Sequence, residues 1–427
     1  MRSVFAYPGN MADAQNNARA IMEAGCLDAF VTTFVYRRDG WIAKMIDLLP
    51  RGAGDRMRRQ LSRRSVDEID ADLVHAYPTW ELVRTLAMRM TRGPIAADMA
   101  WDRLSHHFDR LVARRYVERT EAIHSYEYTA RDGFRRAKSH GVARVLYLPS
   151  LDSRRFEEIR RRERCEWPEL AGPYDEYFDS KFAERYERRC EEIDLADVIV
   201  TNSTLTARSH VDAGARAEKF LAVPLAAPPT IDAVRDRPAG AGESLKVIWA
   251  GSFSLRKGAH YILQAWEHLN AGRAAQLDIY GAIAVPERLL ARAGSGITFH
   301  GSVARPELFR AFEAADVLVF PTLSDGFGMV VTEAMAHGLP VIATTEAGAA
   351  DLVTPESGLI VPAANAQALA DALQWCLDNR LAISAMRHGA LAMARQRQWA
   401  DYRRELVAGL GPALRRAGYT PRFECPA

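Results

Sequence analysis

Two carboxylates stand eight residues apart in "PTLSDGFGMVVTEAMAHGLPVIAT", Pro321 to Thr344, with Gly326-Phe327-Gly328 between them. Asp325 precedes the glycine-bearing loop, and Glu333 lies about one and a half turns into the helix predicted over 328–337. An acid on such a loop can accept hydrogen bonds from sugar hydroxyls, and an acid on the helix can take a ribose diol. Gly326 and Gly328 are expected to let the backbone approach a ligand without Cβ clashes, with the helix N-terminus aimed at a bound phosphate. The plainer reading makes Asp325 an N-cap and Glu333 a solvated helix acid. A second stretch, "WAGSFSLRKGAHYI" (249–262), puts Gly251, Arg256, Lys257 and Gly258 directly after a strand and at the start of a helix. Two cations at a helix N-terminus suit a phosphate clamp. The spacing is not that of G-x-x-x-x-G-K-[ST], and a basic turn with snorkelling side chains has the same composition.

Such residues need a frame to hold them. After 244 the chain alternates apolar runs with amphipathic ones: strands over 245–251, 276–281, 296–301, 316–322, 340–344 and 357–363, helices over 258–270 and 304–315. Before 225 strands are expected at 3–9, 29–36, 71–78, 143–150 and 196–203, with a first helix stopped by Gly25. Continuous apolar strands separated by helices predict parallel, doubly wound sheets covered on both faces. The expected class is therefore α/β, with two Rossmann-like domains facing a cleft. The proline-rich run "PLAAPPTIDAVRDRPAGAGES" (224–244) separates them. The expected organisation is 1–225, a linker over 226–244, a second domain over 245–397 and a final segment over 398–427.

The totals agree with this frame. A chain of 427 residues, 48% apolar and 26% charged, is expected to form two globular domains. A net charge of +2 argues against nucleic acid as a partner. Five cysteines without C-x-x-C spacing read as free thiols of a reducing compartment. The start "MRSVFAYPGN" reads as a first strand and not as a signal peptide, and no run of about 18 apolar residues occurs, so a cytoplasmic protein is expected. The eleven histidines show no H-E-x-x-H spacing, no metal is expected, and "SHHF" (105–108) reads as a surface or core pair. The run "RGAGDRMRRQLSRR" (51–64), preceded by apolar "WIAKMIDLLP", reads as a solvated basic helix or as a peripheral contact with an anionic membrane surface. The stretch 153–170 interleaves arginines with acids, as a salt-bridged helix does.

"GSFSLRKG", "LDIYG", the run from Ile297 to Val353 and "GLIVPAANAQALADAL" together resemble the donor domain of the family 4 (group 1) retaining glycosyltransferases, over about 245–375. In the first half only "EEIDLADVIVTNSTLTARSHVDAG" (191–214) is of that type. The resemblance implies the GT-B fold, with a last helix crossing back to the first domain; "QWADYRRELVAGL" (398–410) fits it, with Trp399 and Tyr402 as packing anchors. It implies that Lys257, with Arg256, holds the donor diphosphate, Asp325 the donor sugar and Glu333 the ribose. Gly251, Ser252, Gly326, Phe327, Gly328 and Met329 would complete the donor site. Three positions depart from the family pattern: Asp325 replaces the usual Glu, Ser252 the common Arg, and Pro149-Ser150 a His at the end of a middle strand. The first domain would hold the acceptor, with Gly9, Asn10, His75, His124 (beside Tyr126 and Glu127) and Ser150 as cleft candidates at strand ends. The implied reaction is metal-independent transfer, without a cofactor, from a UDP- or GDP-linked sugar to a glycan, lipid-linked or small-molecule acceptor, with retention. It would serve bacterial surface polysaccharide or glycoconjugate synthesis. A nucleotide-sugar-binding subunit without turnover, or an epimerase of the same fold, are the alternative expectations.

Overall fold

The computed structural model describes residues 1–421 apart from 10, 39, 49, 80, 82–93, 171–172, 235–243 and 292. The apolar runs form two parallel sheets. The first contains β1 (Ser3–Ala6), β2 (Leu27–Thr32), β3 (Val74–Ala76), β4 (Ala122–Tyr126), β5 (Ala143–Leu148), β6 (Val198–Thr201) and β7 (Phe220–Ala222), in the order β3-β2-β1-β4-β5-β6-β7. Strands β1, β4, β5 and β6 are buried along their whole length, as strands covered on both faces must be. The second contains β8 (Leu245–Ala250), β10 (Ala275–Tyr280), β12 (Ile297–Gly301), β13 (Val317–Phe320), β14 (Val341–Thr344) and β15 (Gly358–Val361), in the order β12-β10-β8-β13-β14-β15. Between them in sequence β9 (Phe253–Ser254) and β11 (Ile283–Ala284) make a small parallel ladder beside the second sheet.

The helices of the first half are α1 (Ala12–Glu23), α2 (Trp41–Asp47), α3 (Arg51–Leu61), α4 (Pro94–Arg115), α5 (Arg131–Ser139), α6 (Ser153–Glu166), α7 (Pro173–Leu195) and α8 (Thr204–Asp212). Those of the second are α9 (Ala259–Leu269), α10 (Glu287–Leu290), α11 (Arg305–Ala314), α12 (Met329–Ala336), α13 (Ala366–Asp378), α14 (Arg380–Gln396) and α15 (Trp399–Arg416). Four strands, β4 and β7 of the first sheet and the short β9 and β11, lie where none was expected. In "AIHSY" the polar His124 and Ser125 interrupt the apolar run, yet burial between β1 and β5 makes it a strand.

In both sheets the first strand of the half stands beside its fourth, so the order reverses between β1 and β4 and again between β8 and β13. Crevices open at the carboxyl ends of strands at such reversals. The residues just beyond these four strands face each other across one cleft.

Two helices tie the halves together. Helix α15 starts with a capping box of Gln398 and Asp401, then returns to pack on α1. The Tyr402 hydroxyl donates to Asn17 Oδ1 at 2.6 Å, and Arg403 pairs with Glu23 at 2.8 Å. Leu406, Leu410 and Leu414 on α15 are fully buried, each contributing about 1.5–3 kcal/mol. Trp399 is only half-buried, stacked edge-on against Tyr402. From the other side, α6 reaches the second half, where Glu163 accepts from the Tyr261 hydroxyl at 3.1 Å and meets His260 Nε2 at 2.7 Å. The same helix is laced by ion pairs of Arg160 and Arg164 with Glu157, Asp175 and Asp179, as its alternating charges suggested.

Candidate active site

The cleft encloses about 820 Å³. The wall from the second half is made by the turns after β8 and β13. Lys257 ends a single turn of 3-10 helix (Leu255–Lys257) before α9, and Gly258 passes it on in a left-handed conformation. This turn carries the Lys257 amino group into an ion pair with the Asp325 carboxylate, 4.9 Å from the centre of the Phe320 ring. Burial pushes the Lys257 amine below the ordinary lysine range, with Asp325 opposing the shift. Arg256 donates through Nη1 to the Ser324 carbonyl at 2.7 Å, so its guanidinium braces the loop as well as lining the cleft. Helix α12 starts at the same wall with Gly328 as an N-cap that has no side-chain cap bond, an end that favours an anion.

The loop itself is laced to the chain after β14. Asp325 N–H donates to the Glu346 carbonyl at 3.0 Å, Gly348 N–H to the Asp325 carbonyl at 3.0 Å, and Ala349 N–H to the Phe327 carbonyl at 2.7 Å. Both loop glycines are explained by the protein's own packing, not only by a ligand. A Cβ on Gly326 would stand 1.8 Å from the Pro149 carbonyl oxygen of the first half. One on Gly328, whose φ is +92°, would stand 2.7 Å from the Phe320 ring. The expectation that they admit a ligand is incomplete for this reason.

Opposite stands a wall from the first half. Asp13, at the start of α1, accepts from the Tyr126 hydroxyl at 2.8 Å, and burial raises its carboxyl above the usual range. At the end of β4 Glu127 pairs with buried Arg189 at 2.5 Å and accepts from the Ser150 hydroxyl at 2.7 Å. Tyr7, Trp101, Tyr128, Phe156 and Phe178 supply aromatic surface. A sugar ring with its apolar faces and ring of hydroxyls fits walls of this composition.

Of the residues singled out from sequence, Gly251, Ser252, Arg256, Lys257, Asp325, Gly326, Phe327, Gly328, Met329 and Ser150 line this cleft. Glu333 stands outside the lining: 8% exposed, it is ion-paired to Arg305 at the start of α11. Burial raises its carboxyl while Arg305 pulls it back. Three acceptor candidates fall elsewhere. His124 is wholly buried, with Nδ1 3.2 Å from the Tyr147 hydroxyl and its ring against Phe5, and burial lowers it to about 3. His75 is exposed on the edge strand β3 and meets the Tyr116 hydroxyl at 2.8 Å. Gly9 is half-buried beside Thr32, whose hydroxyl donates to its carbonyl. Asn10 lies outside the described residues. The sequence reading took β5 as the middle strand; the central one is β4, and Tyr126 and Glu127 are what its end presents. Asp13 and Arg189 carried no motif; only the strand order brings them to the cleft.

Among the described residues no group of three or more His, Cys, Asp or Glu is placed to hold a metal ion, and no helix is long and apolar enough to cross a membrane. His106 is half-buried and His107 exposed on α4.

Residues 244–379, which contain all of the second half's wall of the cleft, match the family model described as "Glycosyl transferases group 1". The second half carries a group 1 glycosyl transferase domain. Its curated relatives include a GDP-mannose-dependent monoacylated alpha-(1-6)-phosphatidylinositol monomannoside mannosyltransferase of Corynebacterium glutamicum, 32% identical over 142 residues, 31% of this chain and 37% of the relative. A D-inositol 3-phosphate glycosyltransferase of Corynebacterium urealyticum is 31% identical over 253 residues, 52% of this chain and 58% of the relative. Both matches span less than two thirds of the relative's length. Solved structures extend the likeness to nearly the whole fold. HepE of Anabaena, solved in complex with UDP, aligns over 96% of this chain and all of its own, with a TM-score of 0.58 at 16% identity. Sucrose-phosphate synthase from Thermosynechococcus elongatus aligns over 97% and 99%, with a TM-score of 0.61 at 18% identity. The group 1 domain is therefore one half of a GT-B fold, and the first half supplies the facing sheet.

Proposed function

We propose that the chain transfers a sugar from a nucleoside-diphosphate donor to an acceptor hydroxyl, with retention at the anomeric carbon. The observation that carries this reading is the half-buried Lys257–Asp325 pair on the cleft wall of the second half, between the uncapped start of α12 and the aromatic wall of the first half. Lys257 and the first amides of α12 would stabilise the charge that develops on the β-phosphate as its bond to the anomeric carbon breaks. The acceptor oxygen would bond to the same face of that carbon and pass its proton to the departing phosphate oxygen, so neither a protein base nor a metal is required. Asp325 would hold both the Lys257 ammonium and a donor hydroxyl, and Glu333 would reach the ribose on leaving Arg305.

A UDP- or GDP-linked donor accords with HepE having been solved with UDP and with the name of the mannosyl relative. The acceptor would be a glycan, a lipid-linked sugar or a small polyol, in bacterial surface polysaccharide or glycoconjugate synthesis. A cytoplasmic protein resting on the inner face of the membrane fits that acceptor range. Met45 on α2, Leu48 just past its end and Met57 on α3 are exposed, Leu48 by 85%, and Arg56 and Arg58 on α3 are exposed too; such a surface suits anionic lipid.

The test is nucleotide release from UDP-, GDP-, ADP- and TDP-sugars in the presence of EDTA, with Lys257→Ala and Asp325→Ala beside the unaltered protein. Release from one donor class, lost in both variants, is the expected result. Binding without release, with cell-extract acceptors added, would favour a nucleotide-sugar-binding subunit. Interconversion of the donor sugar without acceptor would favour an epimerase.

A further inference from the structure

The stretch "NSTLT" (202–206), the turn after β6 together with the first turn of α8, belongs to the first half yet grips the Gly326 loop of the second. Ser203 and Thr206 are both fully buried. The Ser203 hydroxyl donates to the Gly326 carbonyl at 2.6 Å, and the Thr206 hydroxyl lies 3.1 Å from the same oxygen. Beside them Thr204 donates to the Asp351 carboxylate, and Arg155 on α6 pairs with Glu346 at 2.6 Å. Glu346 is the residue whose carbonyl takes the Asp325 N–H. The first half thus holds the loop at Gly326 and at the strand end that laces it.

The Gly326 carbonyl and the Phe327 N–H share one planar trans peptide, so they point in opposite directions. With the carbonyl held by two hydroxyls of the first half, the Phe327 N–H is turned toward Asp325 Oδ1, at 3.4 Å. Gly326 has no side chain to resist rotation of that peptide, so the external hydroxyls are what select its orientation. We propose that Ser203 and Thr206 are positioning residues: by anchoring the Gly326 carbonyl they aim the Phe327 amide at Asp325, and they complete the donor wall only when the two halves are in contact. The catalytic consequence rests on the transferase reading above; the anchoring itself does not.

The experiment compares Thr206→Val, Ser203→Ala and the double variant with the conservative Thr206→Ser. Ser203 also caps α8 by accepting from Thr206 N–H at 3.0 Å, so Thr206→Val, which leaves that cap oxygen in place, decides the matter if the Ser203 variants do not fold. Two quantities are read: amide hydrogen exchange of the peptide covering 324–328, and kcat beside the Kd of free UDP or GDP. The expected result is faster exchange at 324–328 in Thr206→Val and the double variant, with wild-type exchange restored by Thr206→Ser. The same variants should lose about tenfold or more in kcat with nucleotide Kd changed by less than about threefold, since misplacement of a reacting group costs rate more than ground-state binding. Unchanged exchange at 324–328 overturns the anchoring. Faster exchange with kcat within about twofold of wild type overturns its catalytic role. A wild-type chain that turns over no nucleotide sugar sinks the transferase reading, while the exchange comparison still decides the anchor.

Discussion

On the proposed transferase reading Lys257 meets the donor diphosphate, and its removal is expected to be the most damaging single truncation on that wall. Losing one preorganised group that meets developing charge costs on the order of 10²–10³ in rate, so Lys257→Ala should lower kcat/KM by about that factor in the nucleotide-release assay. Burial holds its amine below the ordinary lysine range. The cation is therefore fully present at lower pH and lost as pH rises through that depressed value. Activity is expected to fall on an alkaline limb lying below the range of a free lysine, and a pH–rate profile of Lys257→Arg, whose guanidinium stays charged, should lack the limb. Gly326 gives a second test at this scale. A methyl group there would stand 1.8 Å from the Pro149 carbonyl oxygen, so in Gly326→Ala the loop or the Pro149 strand end must shift. Turnover should drop by about 10² or more in the same nucleotide-release assay. Asp325 with its loop glycines, and Lys257 in its own stretch, were legible from sequence because each lies in a short run whose local order carries the pattern. Which surface each glycine accommodates was not, since Pro149 is 177 residues away in the chain.

At the scale of elements, β4 shows how burial overrides local pattern. His124 stands in the middle of a fully buried strand, neutral because burial lowers its ring to about 3. Unfolding returns it to an ordinary value near 6.5. Below that value the unfolded chain takes up a proton that the fold does not, so this stability is present above pH 6.5 and lost progressively as pH falls toward 3. The loss between pH 6.5 and 5 is about 2 kcal/mol. His124→Phe should flatten that acid slope in urea unfolding. It should also cost about 1 kcal/mol at pH 7.5, because the Tyr147 hydroxyl loses its partner. A motif search takes a histidine at a strand end as a ligand; here the strand continues two residues past it, and the position that faces the cleft is Glu127.

The whole molecule depends on α15 returning to the first half. Tyr402 is buried and donates to Asn17 Oδ1 at 2.6 Å, and Asn17 in turn donates through Nδ2 to the Tyr126 hydroxyl at 2.9 Å, which donates to Asp13. A chain of hydrogen bonds therefore runs from the last helix to the cleft. Tyr402→Phe leaves the Asn17 oxygen unpaired, an expected loss of about 1–3 kcal/mol by chemical denaturation. Because Asn17 orients Tyr126, the same variant is expected to raise the acceptor KM more than it changes nucleotide Kd.

By itself the sequence determined the class of the fold, most of the parallel strands of each half and the residues of the glycine-bearing loop after β13. Each of these follows from periodicity or from groups a few residues apart, which backbone geometry alone brings together. Tertiary structure decided the rest. The opposing wall of Asp13, Tyr126, Glu127 and Arg189 exists because β1 lies beside β4, a neighbourhood set by sheet order. The grip of Ser203 and Thr206 on Gly326, about 120 residues apart in the chain, exists because the chain after β6 of the first sheet meets the loop after β13 of the second. Strand order and domain contact are settled by burial over the whole chain, which no local run of residues encodes.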